Sequence, residues 1–325
     1  MKTRMLAGVP VAEIGLGCMN LSHAYGIPPS RDAARALLHE AIELGITHFD
    51  TAALYGFGAN EELVGEMLQP FRQSILLASK CGMTGVDGKR VIDGRPETLK
   101  RTCQEALRRL RTDTIDLYYL HRWDKRVPIE DSVGALAELV KAGSIRAIGL
   151  SEVSTATLRK ANAVHPIAAV QSEYSLWSRE AEGGLLDACR ELGVSFVAFS
   201  PLGRGFLAGS VRDPAALVEK DLRRGMPRFQ PPNFSSNLQL LLKFEALARQ
   251  AQCTPAQLAL AWLLSRGEHV LPIVGTTSID HLRENIAAAS LAVPAELTAQ
   301  AGELVNQRSV SGPRYPPQTL AEIDS

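Results

Sequence analysis

Short apolar runs recur along the chain at intervals of about 25 to 40 residues, and most stretches between them carry apolar positions spaced three and four apart. The runs are GLGCM from Gly15, THFDT from Thr47, ILLASK from Ile75, IDLYYL from Ile115, IRAIGLS from Ile145, AAVQSEY from Ala168, SFVAFSP from Ser195 and HVLPIVG from His269. Strands apolar on both faces and separated by amphipathic helices predict parallel βα units. Eight such units close a (β/α)8 TIM barrel, an α/β fold. An open doubly wound sheet has the same alternation but carries a G-x-G-x-x-G turn between its first strand and first helix. Here that place reads GLGCMN, without the third glycine or an immediate helix, so a barrel is predicted.

Local signals refine the elements. KTRML, a turn at Ala7–Gly8 and PVAEI predict an N-terminal hairpin ahead of the barrel. Pro96–Glu97 opens the third barrel helix, Ser154 caps the fifth, Thr254–Pro255 starts the seventh, and Gly45 and Gly193 end the first and sixth. Two insertions are irregular, one over 81–95 with a hairpin turn at Asp87–Gly88 and one over 202–236. The C-terminal stretch with Pro313, Pro316 and Pro317 predicts an extended tail that folds back over the barrel mouth. No Ser/Gly-rich linker, repeat or low-complexity tract divides the chain, so one domain over 1–325 is expected.

Composition narrows the function. Lys plus Arg and Asp plus Glu both number 35, without a run of one sign, which speaks against nucleic acid. No stretch of about 18 apolar residues occurs, and Lys2, Arg4 and Glu13 break up the N-terminus, so neither a membrane span nor a secretory leader is expected. Cys18, Cys81, Cys103, Cys189 and Cys253 are scattered, without a C-x-x-C pair or metal-ligand spacing. They predict a reducing cytoplasm and no metal site; Cys18 and Cys81, near predicted loop mouths, are read as free, partly buried thiols rather than as oxidisable ones.

Asp50 and Tyr55 in HFDTAALYG, Lys80 in ILLASK and His121 after IDLYYL are read as closing four different strands, where a parallel barrel gathers catalytic side chains. A tyrosine can protonate a carbonyl oxygen near neutrality if an ammonium stabilises the phenolate it leaves. A carboxylate keeps that lysine charged and aimed, and an imidazole hydrogen-bonds the substrate oxygen. On this reading Lys80, paired with Asp50, lowers the Tyr55 pKa by a few units from about 10. Taken singly, each residue has a structural alternative: a buried ion pair, a loop aromatic, a satisfied core histidine.

The constellation and the segments around it resemble the aldo-keto reductase superfamily, from GLGCM at 15 to DHLRENI at 280–286. GLSEVSTATLRKANAVHPIAAVQSEYSLWSR from Gly149 and PRFQPPNF from Pro227 resemble its perakine-reductase-like and auxin-induced-protein-like subgroup. The resemblance implies reduction of an aldehyde or ketone, with Tyr55, Lys80, Asp50 and His121 as catalytic residues and NADP(H), or alternatively NAD(H), as cofactor. It puts Ser151 and Gln171 on the nicotinamide carboxamide and Phe199 against the ring, although core packing would also suit Phe199. Glu152 stands where many members have asparagine; a carboxylate cannot donate, so it either accepts from the amide nitrogen or points away. Ser200, Leu202, Gly203 and Arg204 are expected around the pyrophosphate, with Arg204 as a cation there. Gly275, Thr276, Thr277 and Ser278, ahead of a helix, are expected at the 2′-phosphate, with Glu284 and Asn285 at the adenine. Much of the subgroup has a lysine or arginine where this chain has Thr277 and Ser278. That departure implies a modest preference for NADP(H), with His281 or Arg283 adding charge.

Met19 and Trp123 are expected in the substrate pocket, with Asn20, Tyr25, Arg126 and Trp177 as wall candidates that rim packing would equally explain. Arg122 and Arg126 would draw an anionic substrate unless they stay solvated. The expected partner is a small carbonyl compound, with monomer and homo-oligomer both open. Potassium-channel β-subunits share this fold and tetrad, so a cofactor-sensing regulatory subunit is the alternative function. Those subunits usually add an N-terminal arm, whereas this chain starts at its first hairpin, which favours an enzyme.

Overall fold

A computed structural model describes residues 2–324. β1 (Thr3–Leu6) and β2 (Val9–Ala12) pair antiparallel around Ala7 and Gly8, both at positive φ as a tight two-residue hairpin turn requires. The hairpin plugs the N-terminal end of the barrel. Leu6 and Val11 pack inside it with Leu76, Leu117, Val197 and Leu271, and Arg4 donates to the carbonyls of Leu264, Gly267 and Val270.

The barrel begins with β3 (Gly15–Gly17), β4 (His48–Asp50) and β5 (Leu76–Cys81). A separate antiparallel hairpin follows, β6 (Met83–Val86) with β7 (Lys89–Ile92), turning at Asp87–Gly88 as expected. β8 (Ile115–Leu120), β9 (Ile145–Ser151), β10 (Ile167–Glu173), β11 (Ser195–Phe199) and β12 (Val270–Val274) complete it. The eight parallel strands close in chain order, β12 pairing with β3 through Ile273–Gly15 and Val274–Leu16. Each falls on one of the apolar runs. A Cβ on Gly149 would lie 2.3 Å from Tyr119 Cδ1, so the glycine leaves room for that ring inside the barrel.

Outside, α1 (Arg31–Glu43), α2 (Ala59–Leu68), α3 (Pro96–Leu110), α4 (Ile129–Lys141), α5 (Thr155–Val164) and α6 (Leu185–Leu192) bury their apolar stripes on the strands. Ser154 accepts from the Thr157 amide to start α5, and Gly193 at φ 67 ends α6. Between β11 and β12 lie two helices, α7 (Asn233–Gln250) and α8 (Pro255–Leu264). Thr254 opens the second of them, between the seventh and eighth barrel strands as expected, through a capping box with Gln257; α7 is the addition. Phe234, Leu241, Phe244 and Ala248 bury one face of α7, whose first turn lies within the stretch read as irregular. After β12 come α9 (Ile279–Ala287) and α10 (Ala295–Leu304).

The tail returns over the mouth as expected, but α11 (Pro317–Ala321) interrupts its extended course, with Pro317 at a helix start where a missing N–H costs nothing. The five cysteines are free, and Cys18 and Cys81 are fully rather than partly buried; burial pushes both thiols up, away from a reactive thiolate. None of the described helices is long and apolar enough to cross a membrane.

Candidate active site

The C-terminal ends of the barrel strands bring the four candidate catalytic residues together. Asp50 closes β4, Lys80 is the penultimate residue of β5 and His121 follows β8. Tyr55 sits on a 3-10 turn just past the same β4, separated from Asp50 by Thr51–Leu54 alone, so the set comes from three strands and not four. Lys80 is enclosed: its ammonium bonds Asp50 Oδ1, the Thr51 carbonyl at 2.9 Å and Tyr55 Oη at 3.4 Å. Asp50 Oδ2 accepts from Gln171 Nε2 at 2.8 Å. The Tyr55 and His121 rings meet edge to face, centroids 5.9 Å apart.

Burial sets the protonation states. It opposes charge on Lys80, but Asp50 and Tyr55 more than offset it and hold the ammonium above its ordinary pKa. It also raises the Tyr55 phenol, and the Lys80 cation counters that only in part. The expected lowering of the Tyr55 pKa is therefore corrected: the phenol keeps its proton at neutral pH, with the ammonium beside it. Burial, with the Arg122 and Lys80 cations, drives His121 well below its usual range, so its imidazole is neutral.

A cavity of about 620 Å³ opens over these residues, in the range of small-molecule sites. Met19, Tyr55 and His121 line it together with Ser151, Gln171 and Phe199. Ser200, Leu202 and Arg204 continue the wall, and Gly275, Thr276, Thr277, His281, Glu284 and Asn285 carry it to the first turns of α9. A hydroxyl and a primary amide near an aromatic ring suit a carboxamide-bearing ring, and the start of a helix with adjacent hydroxyls suits phosphate. By donor set and volume, the residues present fit a nicotinamide dinucleotide.

Several expected contacts are corrected. Arg204 lines the cavity, but its guanidinium is already paired with Glu173 at 2.7 Å and bonded to the Tyr25 and Tyr315 hydroxyls. Burial alone would raise the Glu173 carboxyl; Arg204 and Arg314 instead hold it at about 2. Gly203 turns the loop at φ 55 and packs on Trp177, where a Cβ would approach to 2.7 Å, so it does not face the cavity. Ser278 also turns aside, its hydroxyl accepting from the His281 amide to cap α9. Arg283 is committed to Glu40 on the surface. Glu152 points away: it accepts from the Glu173 amide and pairs with Arg314.

Trp123 is not in the pocket either. Its indole N–H donates to the Val127 carbonyl and its ring packs on the core outside the barrel. Trp177 stacks on Phe206, and Arg126 pairs with Asp124. Asn20 and Tyr25 do line the cavity, as does Pro316 of the expected tail, joined by residues not singled out from the sequence: His23, Met83, Tyr315 and Thr319. The one signal for the tail residues is an aromatic set between prolines in SGPRYPP, a side chain that a solvated tail would not need.

The profile of the aldo/keto reductase family matches residues 13–305. The chain belongs to the aldo/keto reductase family. It is 42% identical over 328 residues to the aldo-keto reductase yakc of Schizosaccharomyces pombe, whose name carries NADP(+), over 99% of this chain and 96% of that one. The glycerol dehydrogenase structure from Gluconobacter oxydans superposes with a TM-score of 0.86 at 29% identity, covering 97% of this chain and 98% of that one. An aldo/keto reductase from Klebsiella pneumoniae in complex with NADP and acetate gives 0.72 at 27% identity, covering 99% of each chain. In this family member the matched span takes in the whole barrel and all four candidate catalytic residues, Asp50, Tyr55, Lys80 and His121.

Proposed function

We propose that this family member reduces an aldehyde or ketone to an alcohol with NADP(H), and that Tyr55 donates the proton. The observation that carries the reading is Lys80 Nζ lying 3.4 Å from Tyr55 Oη, with Asp50 bonded behind it. When bound, the cofactor supplies the hydride. The Tyr55 O–H bond breaks as the carbonyl oxygen takes its proton, leaving a phenolate beside a buried ammonium. Lys80 acts on charge that develops only in the transition state, so a phenol protonated at neutral pH is the right resting form. Asp50 keeps Lys80 charged through that step. Neutral His121 offers an N–H to the substrate oxygen and orients it, and solvent returns the proton to Tyr55 after turnover.

Ser151 and Gln171 would hold the carboxamide, with Phe199 against the ring. Ser200 and Leu202 would follow the pyrophosphate, Thr276, Thr277 and His281 the 2′-phosphate, and Glu284 and Asn285 the adenine. NADP(H) is favoured by the name of the fission-yeast relative and by the NADP complex of the Klebsiella structure. The whole chain works as one unit on a small carbonyl compound in this reading. The test is loss of NADPH absorbance across a panel of aldehydes and ketones. Substrate-dependent oxidation supports the proposal; tight NADPH binding without turnover of any carbonyl would favour a cofactor-sensing subunit instead.

A further inference from the structure

Arginines crowd the barrel mouth, and most are matched by a carboxylate. Arg90 pairs with Glu322, Arg204 with Glu173, Arg223 with Asp221 and Arg314 with Glu152. Arg122 lines the cavity next to His121 and has no carboxylate at ion-pair distance among the described residues. Its Nη1 donates to the His121 carbonyl at 2.7 Å and to Ser151 Oγ at 3.2 Å, which pins the guanidinium beside the reaction centre. Nε and Nη2 have no partner among the described residues. Leu54 and Met83 supply apolar wall in the same cavity, and Tyr315 and Thr319 of the tail wall it as well.

A cation held in place, half-buried and uncompensated, attracts an anion more strongly than the same group in open water. The planar guanidinium matches a carboxylate, which two parallel N–H groups can bond at once. We infer that Arg122 makes this a reductase of carboxylate-bearing carbonyl compounds, in which a short apolar chain separates the carboxylate from the reacting carbonyl. This rests on the carbonyl-reduction reading above and adds a substrate class to it. The carboxylate takes no part in the chemistry; it anchors on Arg122 while the carbonyl oxygen meets Tyr55 and His121.

The experiment compares kcat/KM for 4-oxobutanoate and for butanal, which share a carbon count and differ in the carboxylate, with NADPH, on wild type, Arg122→Gln and Arg122→Lys. Wild type should favour 4-oxobutanoate. Loss of a charge-assisted bond should lower the ratio of the two values on the order of ten- to a hundredfold in Arg122→Gln, with partial recovery in Arg122→Lys. A ratio of two substrates on one protein is insensitive to partial misfolding. If butanal is reduced but wild type shows no preference, or if Arg122→Gln leaves the ratio unchanged, the inference is overturned while carbonyl reduction stands. If neither compound is reduced, nor any other carbonyl of the panel, both fall.

Discussion

Gln171 Nε2 donates to Asp50 Oδ2 at 2.8 Å, so one buried amide ties the proposed nicotinamide site to the carboxylate that partners Lys80. With its N–H on Asp50, the amide keeps its carbonyl oxygen as the acceptor for a carboxamide. Gln171→Leu removes both contacts. One lost hydrogen bond should raise the NADPH Kd about fivefold, and a buried carboxylate oxygen left without its donor should lower turnover and stability together. Fluorescence titration and steady-state kinetics check this; a change in Kd with kcat intact would show that the Asp50 contact is idle.

The tail offers a second test. Arg314 reaches both oxygens of Glu152, at 2.6 and 3.1 Å, with both side chains nearly enclosed. Arg314→Ala leaves Glu152 buried without its cation, at about 3 to 5 kcal/mol if the tail stays in place. We expect the tail to release instead, carrying Tyr315 and Thr319 out of the cavity, so that limited proteolysis cuts it faster and substrate KM rises. Unchanged cleavage of the tail would argue against its being held by this pair.

Acid should weaken the fold through His48. The ring is fully buried in β4 with neither nitrogen partnered, and burial lowers its pKa from 6.5 to about 4. The unfolded chain therefore binds the extra proton first: stability is complete above pH 6.5 and falls as pH drops towards 4, by up to about 3 kcal/mol from this group. Urea unfolding across that interval should show the slope, and His48→Leu should flatten it. An equal slope in the variant would assign the acid loss to other groups.

Cofactor choice is best probed at Thr277, which lines the cavity, whereas the neighbouring Ser278 faces the α9 backbone. Thr277→Arg should raise the ratio of kcat/KM for NADPH over NADH on the order of tenfold. Ser278→Arg should instead cost about 1 kcal/mol by removing an N-cap and leave that ratio nearly constant. Should Ser278→Arg shift the ratio and Thr277→Arg not, the 2′-phosphate lies elsewhere in the turn.

The contrast between these two adjacent residues explains what was legible in the sequence. The strands were readable because both their faces are buried, which forces unbroken apolar runs, and Asp50 and Lys80 stood out as charges ending such runs. Caps and hairpin turns were readable from Ser154, Thr254 and Asp87–Gly88, since their chemistry is local. Which way a loop side chain points depends on turn dihedrals and distant partners. Trp123 thus turned to Val127, Glu152 to Arg314 and Ser278 to its own helix, while Met83 and Tyr315 filled the cavity. The Tyr55 pKa runs against the sequence expectation for a related reason: the neighbouring charge is visible in the sequence, but the burial that outweighs it is a property of the closed barrel.

The central claim is tested most directly by the turnover of Tyr55→Phe with an aldehyde and saturating NADPH at neutral pH. The ring remains to pack against His121, so the fold and cofactor binding should persist. Loss of the proposed general acid should reduce kcat about 100-fold to 10,000-fold with NADPH Kd nearly constant. Retention of more than about a tenth of wild-type turnover with hydride transfer rate-limiting would contradict Tyr55 as the proton donor.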